Sequence, residues 1–358
     1  MNDGSDSVDA RYGPRRLTVE LTNICNLHCD YCLRDEEALY HTPAEFLSIQ
    51  LLQRVLAEAA ESAGITEVNF TGGEPTLHPQ FGEIIGLCGA QGLKASFVTN
   101  GWNFEKLWPD LYSRRSSLVH VAFSLDGIIP EAHDRWRGKG SFVRLIRAFS
   151  RCQRYGLPFV IKVGIRRDTF EQLEAISMFA ARLGAAGVAF AHLMPTSANR
   201  EANLALNLEE RRRAEEEIAL LGRVFKMKVG IDVGYYNIDL GAPCSPLAGT
   251  SYNVDYKGRL TLCCNLSGFR DGAEETDVLA DLTSESFAEA LQRFNELKNR
   301  QLERRRLVLS AMQQNGVTPD LDAGSPCLLC LNDFHKLPWR ETPQATARAK
   351  YSLPVLST

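Results

Sequence analysis

Regular alternation of strand-type and helix-type segments is the feature that most restricts how this chain can fold. The predicted strands span 16–22, 67–72, 94–100, 117–127, 158–165 and 187–193. The predicted helices between them span 43–63, 79–91, 103–114, 141–155 and 169–184. Such alternation favours parallel strands joined by helical crossovers. We therefore predict an α/β fold in which six units form an open, partial (β/α)6 TIM-like barrel instead of a closed eight-unit barrel.

The pattern changes after about residue 205, which indicates a second unit. A helix is predicted over 208–226, a hairpin turn at Lys257-Gly258, and a long helix over 284–314 that could cover a substrate. We expect a smaller α+β auxiliary domain at the C-terminal end. The predicted division is a polar leader (1–14), the barrel (15–205), a linker helix and strand (206–240), the auxiliary domain (241–335) and a tail (336–358).

Charge and hydropathy exclude several classes of function. The net charge of −4 over 358 residues is too small to indicate a nucleic-acid partner. The sequence has no apolar run long enough to span a bilayer and no apolar signal core near its N-terminus. We therefore expect a cytoplasmic protein without a membrane partner. Because thiols stay reduced in that compartment, the ten cysteines point to metal or redox chemistry.

Three cysteines fall within eight positions in the stretch "NICNLHCDYC". Cys25, Cys29 and Cys32 could ligate three corners of an iron–sulfur cluster, which four cysteines normally hold. The fourth iron would then be open, as a catalytic metal site requires. Structural zinc held by these cysteines and His28 is the alternative.

The CxxxCxxC motif at the end of a first strand, in a partial barrel, resembles the radical SAM superfamily. The resemblance covers roughly residues 15–200. It implies that the three cysteines hold a 4Fe–4S cluster whose open iron binds S-adenosylmethionine (SAM). One electron then splits SAM to a 5′-deoxyadenosyl radical, which abstracts a hydrogen atom from a C–H bond. A flavodoxin or ferredoxin is the implied reductant.

The same resemblance implies which residues bind SAM. Tyr31 would lie beside the adenine, and Glu74 of "TGGEP" would accept a hydrogen bond from the SAM ammonium. Arg137 would bind a carboxylate or form a surface ion pair, whereas Asp126 would have a structural role in its Asp-Gly turn. The other implied cofactor-binding residues are Gly72, Gly73, Asn100 and Ser124.

The C-terminal cysteines resemble the SPASM or "twitch" auxiliary domain of radical SAM enzymes. A glycine five positions before the second cysteine, at Gly258, carries this resemblance. It implies a second 4Fe–4S cluster, and the number of cysteines favours the twitch form with a single auxiliary cluster. A four-cysteine zinc site would use the same ligands. The implied ligands are Cys244, Cys263, Cys327 and Cys330.

Cys264 is left over from this ligand set. We expect its side chain to point away from the second cluster, because adjacent strand residues face opposite sides. It is then either a buried core residue, a thiol that donates a hydrogen atom to a substrate radical, or an alternative ligand.

His192, at the end of the sixth predicted strand, is a candidate for substrate or proton handling at the barrel mouth. A structural role is the alternative for it and for two further histidines, His133 and His335. The remaining cysteines, Cys88 and Cys152, fall in helical patterns and are predicted to be core residues.

Substrate class is the least constrained inference. Only 24 residues precede Cys25, too few for a separate peptide-recognition domain. The sequence therefore favours a small polar natural-product intermediate (a sugar, aminocyclitol or nucleoside) that undergoes oxidation, epimerisation or rearrangement. A maturase that modifies a ribosomally made peptide is the first alternative. A non-catalytic iron–sulfur electron carrier is the second.

Overall fold

The computed structural model describes residues 14–233, 242–271, 275–316 and 325–340. The strands in this part of the chain are β1 (Arg16–Glu20), β2 (Glu67–Thr71), β3 (Lys94–Thr99), β4 (Leu118–Ser124), β5 (Phe159–Ile165), β6 (Gly187–His192), β7 (Lys228–Val233), β8 (Ser251–Val254), β9 (Arg259–Thr261) and β10 (Val278–Asp281). All of them belong to one sheet with the order β10-β9-β8-β1-β2-β3-β4-β5-β6-β7.

The α-helices of the described residues lie mainly between these strands. They are α1 (Ile49–Ala63), α2 (Phe81–Ala90), α3 (Phe104–Ser113), α4 (Pro130–Arg137), α5 (Ser141–Tyr155), α6 (Arg167–Phe170), α7 (Leu173–Arg182), α8 (Ser197–Glu201), α9 (Leu208–Val224), α10 (Phe287–Gln314) and α11 (Pro326–Asp333). None of the described helices is both long and apolar enough to cross a membrane.

Strands β1 to β7 pair in parallel, which confirms the predicted partial barrel. One face of each strand is buried against the helices, as at Val68 and Phe70 of β2. The other face is partly open, so β5 alternates buried and half-buried residues along its length. We call this second face the lumen face. It includes Ser124 of β4 and Lys162 of β5, which are paired in the parallel register.

The C-terminal strands continue the barrel sheet. Strand β8 pairs in parallel with β1, and β8 and β9 form the predicted hairpin, in which Gly258 has a positive φ of 82°. The strand predicted in the linker segment is β7, which pairs in parallel with β6 and extends the barrel sheet to seven strands. The hairpin flanked by Cys244 and Cys263 therefore belongs to the same sheet as the first cysteine loop.

Several predicted elements differ in extent from the observed ones. The first predicted helix begins only at Ile49, because the Ser48 hydroxyl accepts a hydrogen bond from Leu51 N and caps the helix. The helix predicted over 169–184 is divided into α6 and α7. The leader residues 1–13, the linker residues 234–240 and the tail residues 341–358 lie outside the described residues.

Candidate functional site

The first cysteine site consists of Cys25, Cys29 and Cys32, on the loop that follows β1. All three are partly exposed, and Cys32 N donates a hydrogen bond to Cys29 O at 2.9 Å. Burial raises the pKa of the Cys25 thiol to about 12 and that of Cys29 to about 11. Metal binding must therefore displace protons from these thiols.

The donor set fits an iron–sulfur cluster better than a single zinc ion. His28, the fourth ligand of the zinc alternative, is paired through Nε2 with Glu36 Oε1 at 3.0 Å. Among the described residues, no three His, Cys, Asp or Glu side chains converge on the position of one metal ion.

The glycine turn after β2 supports the cysteine loop. Gly73 N donates a hydrogen bond to Thr22 O at 3.0 Å, and Glu74 N donates to Ile24 O at 2.8 Å. A Cβ at Gly73 would lie 2.0 Å from Ile24 O, and one at Gly72 would lie 2.6 Å from Thr22 O. The two glycines are therefore required for close approach to protein backbone, a role that the sequence did not indicate.

The Gly73→Ala substitution is expected to displace the cysteine loop and to lower iron loading at the first cysteine site by more than half. The reason is the steric conflict with Ile24 O, which neither backbone can avoid without moving. Iron quantification after anaerobic reconstitution measures the effect. Gly230→Ala is the matched control, because a Cβ there meets no atom within 4 Å. Normal iron loading of the Gly73 variant would contradict this assignment.

Glu74 joins the glycine turn to the end of β3. Its carboxylate is 2% exposed and accepts hydrogen bonds from Thr76 Oγ1 at 2.6 Å, Thr99 Oγ1 at 2.8 Å and Asn100 N at 2.8 Å. Asn100 Nδ2 lies 4.0 Å from Cys25 Sγ. The structure thus brings "TGGEP", "TNG" and the cysteine loop together, as parallel strand ends require. Binding of the SAM ammonium by Glu74 stays a prediction.

Tyr31 belongs to a buried charged network. Its hydroxyl donates to Asp126 Oδ2 at 2.5 Å and accepts from Arg137 Nη2 at 2.7 Å. Arg137 Nε and Arg166 Nη1 also donate to the two carboxylate oxygens of Asp126. The Arg166 guanidinium lies 4.8 Å from the Tyr31 ring centroid and 4.4 Å from that of Trp136. This Asp126 network connects the cysteine loop with β4, α4 and the end of β5.

The network determines the charge state of Asp126. Burial alone would raise the pKa of this carboxyl, but the Arg137 and Arg166 guanidinium groups hold it well below its usual range. Asp126 is therefore structural, as its turn motif predicted. Arg137 forms an ion pair, one of the two alternatives, although the pair is buried and not on the surface.

An ion pair inside the barrel was not found from the sequence. Lys162 Nζ contacts the Asp232 carboxylate, and both side chains are partly exposed on the lumen face. Lys162 neighbours Ser124 on β4 and Ala189 on β6. The strict alternation of β5 could have revealed Lys162, because every second residue of a half-buried strand faces away from the core.

His192 ends β6, as predicted, but its side chain does not face the lumen. It shares the helix-facing side of β6 with Val188 and Phe190, and its side chain is 1% exposed. Its Nε2 lies 3.2 Å from Glu215 Oε1 of α9. The period of two along the strand explains the difference, since His192 falls on the core-facing register. This geometry therefore does not support a role for His192 in proton transfer in the lumen.

His133 and the two helical cysteines are buried, whereas His335 is exposed. His133 is fully buried and its Nδ1 accepts a hydrogen bond from Asp126 N at 3.1 Å. Burial lowers the pKa of His133 to about 4, so the imidazole is neutral at physiological pH. His335 is exposed with a positive φ of 55°. Cys88 and Cys152 are fully buried, which confirms them as core residues.

The four implied auxiliary ligands line one cavity. This C-terminal cysteine cavity has an internal volume of about 30 Å³ and opens to solvent. Two of the cysteines come from α11, one from the turn before β8 and one from the residue pair after β9. The remaining wall is mainly apolar. The four cysteines are Cys244, Cys263, Cys327 and Cys330.

Cys264 does not line the C-terminal cysteine cavity, whereas its neighbour Cys263 does. This agrees with the expectation that the Cys264 side chain points away from the second cluster. Both residues lie beyond Thr261, the last residue of β9, so the alternation of strand side chains is not the reason. Cys264 interacts electrostatically with Arg34, which follows the first cysteine site.

Comparison with known proteins gives consistent matches. A family profile described as "Radical SAM superfamily" matches residues 19–180. Mycofactocin maturase MftC of Mycolicibacterium smegmatis is 35% identical over 175 residues, which are 48% of this chain and 43% of that protein. The chain thus spans less than half the length of this relative. PqqA peptide cyclase of Gluconobacter oxydans is 30% identical over 262 residues, which are 70% of each chain.

Among solved structures, Streptococcus suis SuiB bound to S-adenosylmethionine superposes with a TM-score of 0.64. The match covers 78% of this chain and 65% of SuiB at 15% sequence identity. At this identity the likeness establishes the fold alone.

Proposed function

Since the chain belongs to the radical SAM superfamily, we propose that this radical SAM enzyme is a maturase that modifies a peptide. The single observation that carries its chemistry is the first cysteine site, fixed at the carboxyl end of β1 above a partly open lumen. When SAM and a reduced 4Fe–4S cluster are bound there, they supply a 5′-deoxyadenosyl radical that removes a hydrogen atom from a C–H bond. The protein's own contribution is to hold that site rigidly and to orient the substrate.

A peptide substrate is supported by the names of the relatives. Mycofactocin maturase and PqqA peptide cyclase are matched by sequence, and SuiB has also been solved bound to the precursor peptide SuiA. These proteins favour a peptide over the small polar molecule that the sequence first suggested. We propose that this chain likewise takes a peptide and brings one of its side chains to the lumen.

The lumen face carries small residues and charge. Ala189 of β6 is paired with Gly230 of β7, and both are half-buried. Lys162 and Asp232 form an ion pair on the same face, and their side chains are 34% and 40% exposed. We propose that a polar or charged peptide side chain contacts one member of this ion pair.

We further propose that the C-terminal cysteine cavity holds one auxiliary 4Fe–4S cluster, as in a twitch-type domain. Four thiolates would close every iron position, so this centre would not bind SAM. Its proposed roles are to accept an electron from the substrate radical or to position the substrate. Two of its four thiols, Cys244 and Cys263, flank the β8–β9 hairpin, which pairs with β1 of the first cysteine site.

The Cys327→Ala substitution is expected to reduce the iron content from about eight to roughly four per chain, because the auxiliary cluster loses one of its four thiolates. SAM cleavage should survive at least in part, since Cys327 is not in the first cysteine site. Iron and sulfide quantification, together with the yield of 5′-deoxyadenosine, measures both effects.

Cys88→Ala is the control for this prediction, because it removes a buried thiol in α2 that lines neither cysteine site. An unchanged iron content in the Cys327 variant would remove this residue from the ligand set.

The proposed function is tested by anaerobic incubation of the reconstituted protein with SAM and dithionite. We expect 5′-deoxyadenosine, and we expect its yield to rise when a short precursor peptide encoded beside the gene is added. Mass spectrometry should then show a changed peptide mass. Deoxyadenosine formation with no response to any such peptide would refute the maturase proposal. The complete absence of deoxyadenosine would support the electron-carrier alternative.

A further inference from the structure

The cysteine loop and the segment after Cys263 and Cys264 pair along their backbones. Asp35 N donates a hydrogen bond to Gly268 O at 2.9 Å, and Arg270 N donates to Leu33 O at 2.8 Å. These bonds begin within a few residues of Cys32 on one side and of the C-terminal cysteine cavity on the other. These bonds hold the two loops side by side.

Arg34 lies at the centre of this contact. Its side chain is only 13% exposed, and its Nη1 lies 3.1 Å from Glu20 Oε1 of β1, which is 3% exposed. The same Nη1 donates to the Ser267 carbonyl oxygen. Arg34 is two positions after Cys32, and Ser267 N donates a hydrogen bond to Cys263 O at 3.1 Å. One buried cation thus lies between the first cysteine site and the segment that begins at Cys263.

We propose that Arg34 is a positioning residue that raises the reduction potentials of both iron–sulfur centres. The inference rests on the auxiliary cluster proposed above. Each reduction adds a negative charge to a cluster, and a buried guanidinium stabilises that charge because the surrounding protein screens it weakly. Glu20 opposes this effect, since its carboxylate lies beside the same guanidinium. The two side chains therefore shift the reduction potentials of the same two centres in opposite directions.

This opposition gives a test that a purely structural role would not satisfy. The reconstituted full-length protein is titrated with dithionite in the presence of redox mediators, and electron paramagnetic resonance follows the reduced clusters. Arg34→Gln should shift the midpoints to more negative potentials and lower the reduced fraction several-fold at a fixed potential. Glu20→Gln should shift them in the positive direction. Arg34→Lys keeps the charge and should restore most of the wild-type value.

Arg54→Gln is the matched control. Arg54 also joins the barrel to the C-terminal half, through Nη2 and the Leu282 carbonyl oxygen, and is ion-paired with Glu58 at 3.1 Å. No cysteine contributes to its contacts, so its loss should leave both midpoints unchanged.

The iron content separates failure of this inference from failure of the proposed function. A wild-type protein with roughly four irons would refute the auxiliary cluster, and this inference with it. About eight irons in every variant, with midpoints that do not move, would overturn the role of Arg34 alone. If Arg34→Gln loses iron, the other two variants test the inference. It is overturned if Arg34→Lys and Glu20→Gln shift the midpoint potentials in the same direction, or if Glu20→Gln does not shift them.

Discussion

Replacement of Cys25, Cys29 and Cys32 by alanine is expected to abolish formation of 5′-deoxyadenosine and to remove roughly four irons per chain. Without these thiolates no cluster with an open iron can form at the carboxyl end of β1, and SAM has nothing to chelate. The loss should exceed a thousandfold, because the remaining residues offer no other means of breaking the sulfonium by one electron. Deoxyadenosine assays and iron quantification on the anaerobically reconstituted variant measure both effects.

The control for this prediction is Cys152→Ala, which removes a fully buried thiol of α5. It should keep the iron content and most of the activity. Retained SAM cleavage in the triple variant would refute the first cysteine site as the radical source, whatever happens to the auxiliary ligands.

Asp126→Asn is expected to lower the free energy of unfolding by about 3–5 kcal/mol, because it leaves two buried guanidinium groups without their shared carboxylate. Arg137 and Arg166 both donate to this side chain, and Arg166 is itself fully buried. Because Tyr31 of the cysteine loop also donates to Asp126, iron loading should fall as well. Denaturant unfolding monitored by circular dichroism gives the stability change.

The effect of Asp126 has a defined dependence on pH. The folded-state pKa of this carboxyl lies below its unfolded value of about 3.9. Its contribution is therefore complete above about pH 4 and is lost as the pH falls towards the folded-state pKa. The stability difference between the wild type and Asp126→Asn should therefore be constant from about pH 5 to about pH 8. The lower limit is about one pH unit above the unfolded-state pKa.

The control is Asp110→Asn, which breaks an exposed ion pair with Arg114 at 3.3 Å. Such a surface pair contributes about 0.3–0.5 kcal/mol. Equal losses of stability in the two variants would mean that the Asp126 network is not a buried charge cluster. A difference between wild type and Asp126→Asn that grows on acidification would contradict the depressed pKa.

Residue patterns over short distances predicted most of the barrel. Six of its strands and the main crossover helices follow from the period of hydrophobic residues, which depends on neighbours within one element. The hairpin at Gly258 followed from its turn chemistry. The same local reasoning assumed for Cys264 that β9 continues to that residue, whereas the strand ends at Thr261. It also placed His192 at the barrel mouth without assigning the face of β6 on which it lies.

The sequence alone determined the fold class and the first cysteine site, because strand–helix periodicity and the spacing of three thiols on one loop are local properties. Only the tertiary structure revealed the Asp126 network, the Lys162–Asp232 pair and the position of Arg34. The partners in these contacts lie far apart along the chain: Tyr31 and Asp126 are separated by 95 positions, and Arg34 and Ser267 by 233. The sequence around a charged residue contains no local pattern from which such a distant partner can be predicted. The partner is decided when the parallel sheet brings β1, β5 and β8 together and burial requires each charge to be compensated.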